Sequence, residues 1–219
     1  MNGSFYKLRG FTLAETLITL GIIGVVAAMT IPVLVSNYQE RQIATKLKKN
    51  VSLINQALRL AQNDDIVLEK KDYEDNQSGE DKISSDWDLD FLLDYLTVAQ
   101  DCGHEAKGCF SENYKQLNGL KERNFEQLAR YKKFVLMDGS SIAFEGWTGE
   151  NLAGEMWIDV NGKQKPNIVG RDIFLFRLNG YVIYPYYKDS YNGKVSASGY
   201  NAASWVLQNN NLDYLHKKK

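Results

Sequence analysis

The chain has 219 residues, with 26 Lys and Arg against 27 Asp and Glu and a formal charge of −1. That near balance excludes the strongly basic surface of a protein that coats nucleic acid, and plentiful aromatics with only 3 prolines exclude a chain disordered throughout. With the apolar run near the start set aside, enough remains for one soluble domain of ordinary size.

Residues 1–10 are polar, carry Lys7 and Arg9, and end in Gly10. From Phe11 to Val35 the run is apolar apart from its threonines and a single ionisable side chain, Glu15. At about 1.5 Å per residue it is long enough to cross a hydrocarbon core of about 30 Å. A carboxylate at that depth costs roughly 2.5–3.5 kcal/mol, so it calls for a partner from outside the run. An ordinary secretory signal has its small-residue cleavage site after the apolar region. Here the cut would fall before it, between Gly10 and Phe11, and the new amine would stand four residues from Glu15. Within one chain the amine and carboxylate satisfy each other poorly, whereas staggered neighbours bring them together, so stacking of identical helices is expected. A plain signal anchor is the competing reading. Pro32 removes a backbone donor, but the helical pattern resumes beyond it, which predicts a kink rather than an end.

The segment Gly10-Phe11-Thr12-Leu13-Ala14-Glu15, with Pro32 further along, resembles the processing site of type IV prepilins and of the pseudopilins of type II secretion. The resemblance extends to about Asn50; beyond that only the expected outline is shared. It implies an α+β, pilin-like fold: a long N-terminal α-helix, transmembrane then amphipathic, packed under an antiparallel β-sheet. It also implies cleavage after Gly10 and N-methylation of Phe11 by a prepilin peptidase and N-methyltransferase. The product would be a single-pass inner-membrane protein with an extracytoplasmic head. An inner-membrane assembly platform would draw it into an extracellular or periplasmic filament by self-assembly with pilins or pseudopilins. Glu15 and Pro32 would then be assembly residues. The expected division is a leader at 1–10, a transmembrane helix at 11–35, its amphipathic continuation at 36–62, a connecting region at 63–132, and a sheet with its tail at 133–219.

After Val35, Ile43, Leu47, Val51, Ile54, Leu58 and Ala61 recur at intervals of three and four and predict one continuous helix to about Gln62, its upper half clamped under a sheet. Arg41, Lys46, Lys48, Lys49 and Arg59 stand between them. A freestanding amphipathic helix on the membrane surface is the alternative. Asn63 to Asp86 is charged and reads as a mobile surface loop, either a spacer or a docking element. Ser85 offers an N-cap, and Asp90 to Ala99 reads as a short helix with Phe91, Leu92, Tyr95 and Leu96 inward. Tyr114 to Tyr131 is irregular, with Phe125 to Ala129 its most helical part. Then β-prone runs flank Asp138-Gly139 and Asn179-Gly180, predicting two tight hairpins with a strand at Glu155 to Val160 between them. Successive hairpins make an antiparallel meander.

Cys102 and Cys109 close a short loop, and on the oxidising side of a membrane a disulfide is the default, worth about 2–3 kcal/mol. Metal binding by Cys102, His104 and Cys109 would supply only three ligands. Asp159-Val160-Asn161-Gly162, followed by Asn167 and Asp172, resembles the opening of a calcium loop, yet Gly170 stands where an EF-hand has glutamate. Calcium and a structural turn both account for these four residues; no other cofactor is indicated. Tyr181, Tyr184, Tyr186, Tyr187, Tyr191 and Tyr200 form either a recognition surface or internal packing, and Lys217 to Lys219 a basic tail. No Walker loop, GxSxG or HExxH occurs, so an enzyme is not expected. A filament subunit is the reading; a minor pilin acting as an adhesin or DNA-uptake module at the tip is the alternative.

Overall fold

The computed structural model describes residues 11–64, 66, 90–146, 153–187 and 192–216. The expected leader, most of the acidic loop, the Ser85 cap, Tyr191 and the lysine tail lie outside the described residues. Two compact units divide between Glu40 and Arg41.

The first unit holds the beginning of α1 (Leu13–Asn63), which passes through Pro32 without a break. Its large apolar side chains, among them Leu17, Ile22, Met29 and Leu34, are exposed. Among the described residues of the unit nothing covers them, and the helix is long and apolar enough to cross a membrane.

In the second unit, a six-stranded antiparallel sheet runs in sequence order: β1 (Val98–Gly103), β2 (Lys132–Leu136), β3 (Ser141–Gly146), β4 (Ala153–Asp159), β5 (Ile173–Asn179) and β6 (Val182–Pro185). The expected meander is therefore present. Ala44, Leu47, Ile54, Ala57 and Leu58 of α1 lie in one core with Phe134, Leu136, Ile142, Phe144, Met156, Ile158, Phe174 and Phe176 of the sheet. Strand residues at every second position face the helix, as the period of two demands. Three hydrogen bonds fix how α1 is rotated on this face. Asn50 Nδ2 donates to Ser140 Oγ (2.7 Å), which in turn donates to the Val160 carbonyl (3.2 Å), and the Ile183 amide of β6 donates to Asn55 Oδ1 (3.0 Å).

The alternate positions of the strands are buried as well. Val135, Ala143, Trp157, Ile173 and Leu175 pack under a second core layer of Phe110, Tyr114, Phe125 and Tyr131. These aromatics come from the irregular segment between β1 and β2, where turns replace the helix expected at Phe125 to Ala129. The layer is pinned by charge as well as by packing. Arg123 donates to Tyr131 Oη (2.6 Å) and Glu155 (3.0 Å) and lies over the Trp157 ring at 5.5 Å.

Several local expectations are corrected. The helix from Asp90 to Ala99 shrinks to α2 (Leu92–Tyr95), because Val98 and Ala99 join β1 against β2. Leu92 and Leu96 are buried, while Phe91 and Tyr95 are only half-buried. At Asp138-Gly139 only the glycine has positive φ, at 83°, and Gly139 N donates to the Leu136 carbonyl (2.9 Å). This is a type I turn followed by a left-handed glycine, not a primed two-residue turn. In the second hairpin Asn179 pairs with Val182, so the turn centres on Gly180-Tyr181 with positive φ at Gly180 alone, one residue later than expected. A helix missing from the sequence reading, α3 (Ala202–Asn209), adds Ala202, Ala203 and Val206 to the core shared with α1. The two sheet edges are irregular or short: β1 shifts register twice, and β6 has four residues and ends in Pro185.

Gly154 sits where β4 meets β3 most tightly. A Cβ there would lie 2.3 Å from the Glu145 carbonyl oxygen and 2.7 Å from the Phe144 ring. Gly154→Ala is therefore expected to destabilise the head by roughly 1–3 kcal/mol, read as a lower thermal midpoint of the detergent-solubilised chain. An unchanged midpoint would show that the β3–β4 contact can open.

Candidate functional site

At the start of α1, Thr12 and Glu15 form a reciprocal pair. Glu15 Oε2 accepts from the Thr12 amide and from Thr12 Oγ1, both at 2.8 Å, and the Glu15 amide donates to Thr12 Oγ1 (3.2 Å). This is a capping box with Thr12 as N-cap and Glu15 at the third helical position. Part of the partnership expected from outside the run is thus found inside it. Thr12 supplies hydrogen bonds but no positive charge, so the carboxylate is solvated by its own chain without being neutralised. The other hydroxyls turn inward on the helix: Thr16 donates to the Leu13 carbonyl (2.8 Å), Thr19 to Glu15 (2.9 Å) and Thr30 to Val26 (3.0 Å). Along α1 up to Val35, Glu15 is left as the one side chain with a charge. Phe11 precedes the box and is exposed, while Gly10 lies outside the described residues. The spacing Thr-x-x-Glu was available in the sequence as the signal for this cap.

Cys102 and Cys109 are joined in a disulfide, and both are fully buried. His104 does not approach as a third ligand; its Nδ1 lies 2.7 Å from the Ala129 carbonyl. Besides the bridge, the loop is held by side chains: Gln100 donates to the Lys107 carbonyl (2.8 Å) and Ser141 to the Cys109 carbonyl (2.6 Å). Glu126 accepts from the Gly108 (2.5 Å) and Phe110 (2.7 Å) amides. Lys133, wholly buried, donates to the carbonyls of Glu126 (2.9 Å), His104 (3.3 Å) and Leu128 (3.4 Å), and burial lowers its pKa.

Asp159, Asn161, Asn167 and Asp172 are brought together in the connection from β4 to β5. Asp159 Oδ2 accepts from Tyr114 Oη (2.6 Å) and Oδ1 from the Asn161 amide (3.2 Å). Asp172 accepts from the Ile168 amide (2.6 Å) and the Asn167 amide (2.7 Å). Three of the four carboxylate oxygens serve backbone amides of the loop, and the fourth, Asp159 Oδ2, accepts from Tyr114 of the outer aromatic layer. Burial pushes both carboxyls above their ordinary range, and for Asp159 the nearby Asp172 adds to the effect. Among the described residues no group of three His, Cys, Asp or Glu side chains could hold a metal. The Oδ1 atoms of Asn161 and Asn167 have no hydrogen-bond partner, and a cation would have to draw on them. The hydrogen bonds within the connection are those of a structural turn.

The tyrosines divide. Tyr200 is packed edge-on against Trp157 and donates to Glu122 (2.7 Å), and Tyr181 donates to the Ile66 carbonyl (3.1 Å). Tyr186 stacks under Arg177, and Tyr187 is exposed. Tyr181 and Tyr200 are thus half-buried and tied to the fold through their hydroxyls, and Tyr184 and Tyr186 are half-buried as well. For the β4–β5 turn, Asp172→Ala strips two backbone amides of their acceptors and is expected to cost about 1–3 kcal/mol, with the same drop in thermal midpoint in EDTA as in millimolar calcium. A drop confined to calcium would assign a cation to the turn.

Over residues 7–31 the chain matches the family described as the prokaryotic N-terminal methylation motif. No curated protein and no solved structure matches it. The motif is the hallmark of the type IV pilin and pseudopilin family, and the chain carries it where its apolar helix opens, which supports a subunit of that type.

Proposed function

We propose that the chain is a structural subunit, major or minor, of a type IV pilus-like or type II secretion filament. It is stored in the inner membrane with its head on the extracytoplasmic side. Cleavage between Gly10 and Phe11 and N-methylation of Phe11 precede its extraction by the assembly platform. The observation that carries this reading is a membrane-length apolar surface on α1 with one unneutralised carboxylate at its start. Each large apolar side chain on that surface gains roughly 1.5–3 kcal/mol on burial, whether in a bilayer or against neighbouring helices. A bilayer leaves the charge of Glu15 unmet. The Phe11 amine of an adjacent copy meets it, and the exchange favours the assembled state. The capping box keeps the carboxylate solvated until then. The disulfide supports placement of the head on an oxidising side.

Intact-mass measurement of the chain from cells holding a prepilin peptidase is expected to show loss of residues 1–10 and gain of one methyl group. The full-length mass in the presence of active enzyme would overturn the processing step. Glu15→Ala is expected to leave the protein in the membrane and abolish sheared filaments. Thr12→Ala, which removes only the cap at about 1 kcal/mol, is expected to reduce their yield without abolishing them. Filaments of wild-type abundance from Glu15→Ala would sink the reading.

A further inference from the structure

The upper part of α1 carries an uncompensated positive stripe. From Arg41 to Asn63 the helix has five cations and no acid. Two of the cations turn toward the sheet and are engaged there: Lys46 Nζ donates to the Val160 carbonyl (3.4 Å), and Lys49 pairs with Asp138 (3.1 Å). Among the described residues no hydrogen bond or ion pair engages the side chains of the remaining three, Arg41, Lys48 and Arg59. At 100° per residue they fall within about 20° of one line turned away from Leu47 and Ile54, with Arg41 and Arg59 exposed, Lys48 half-buried and the exposed Ser52 between them. The line is about 27 Å long at 1.5 Å per residue. Like charges on one helix face repel, and among the described residues no acid on the head pairs with them.

The complementary charge is in the same sequence. Residues 65–89, of which only Ile66 is described, hold nine acids against three lysines, a formal −6. Both ends of this segment are tied near the far end of α1. Tyr95, just beyond it, donates its hydroxyl to Asp64, just before it (2.6 Å). To lie along its own stripe as far as Arg41, the segment would have to run out and back nearly fully extended, since a residue spans at most about 3.3–3.6 Å. A copy displaced along the helix axis meets no such demand.

We propose that the Arg41, Lys48 and Arg59 stripe receives the acidic segment 65–89 of a neighbouring copy, so that head-to-head register in the assembly is set by charge pairing. The inference rests on the filament reading, for it needs copies stacked along α1. Ion pairs at such a surface are individually weak and are screened over about 10 Å at 0.1 M salt. Several in a row supply orientation more than affinity.

The test uses the full chain in membranes that contain the assembly machinery, with the photocrosslinking amino acid p-benzoylphenylalanine placed at Ser52 or, separately, at Leu17. The Ser52 probe is expected to give a dimer whose cross-linked peptide maps to residues 65–89. Its yield should fall several-fold in Arg41→Glu, Lys48→Glu, Arg59→Glu and recover when the partner copy carries Asp72→Lys, Glu74→Lys, Asp75→Lys. Recovery by the second set of substitutions also shows that the first set folds. Adducts to the probe's own chain, to nucleic acid or to lipid, or no adduct at all while the Leu17 probe still gives dimers, would overturn the proposal and leave the filament reading standing. Loss of dimers from the Leu17 probe as well would overturn the filament reading, and the stripe's proposed role with it.

Discussion

The contact between one stripe of α1 and one face of the sheet is the constraint on which the head depends. Ala44, Leu47, Ile54, Ala57 and Leu58 recur at the helical period, and Phe134, Phe144, Met156 and Phe176 at the strand period; only when the two patterns face each other are both satisfied. Polar groups inside the contact remove the remaining freedom. Asn50 and Ser140 can pair at one rotation of the helix only, and Asn55 meets the Ile183 amide at that same rotation. The same rotation leaves Arg41 and Arg59 exposed and Lys48 half-buried.

The second layer has a different origin. The segment from Gly103 to Tyr131 has almost no regular structure, yet it buries four large aromatics against the opposite sheet face. Without hydrogen-bonded periodicity the segment must satisfy its backbone piecemeal. It does so through buried charges: Glu126 accepts amides of the cysteine loop, Lys133 donates to three carbonyls, and the disulfide ties the loop to β1. A fully buried lysine costs desolvation, and the three carbonyl acceptors and the nearby charge of Glu126 offset part of it.

How much of this could be read from the sequence follows from the range of each signal. The long helix was legible because its stripe is local and periodic, and the hairpins because Asp-Gly and Asn-Gly announce a turn on their own. Where each turn is centred depends on strand register, which a dipeptide does not carry; hence the shift to Gly180-Tyr181. β1 was hidden because it is an edge strand with two register shifts and one fully buried residue, Cys102, so no alternation marks it. The outer aromatics Phe110, Tyr114 and Phe125 share no period, and their common destination is a tertiary fact. At the site, Glu15 stood out as a charge in an apolar run, and Thr12 three residues before it was the legible cue for its cap.

The sheet's two borders have a bearing on life at high density. β6 is short, ends in proline, and has its Ile183 amide taken by Asn55; β1 is twice dislocated. Neither presents a long, flat row of free amides and carbonyls to another molecule. In the filament proposed above, heads packed side by side would be denied the route by which crowded β proteins fuse into irreversible aggregates.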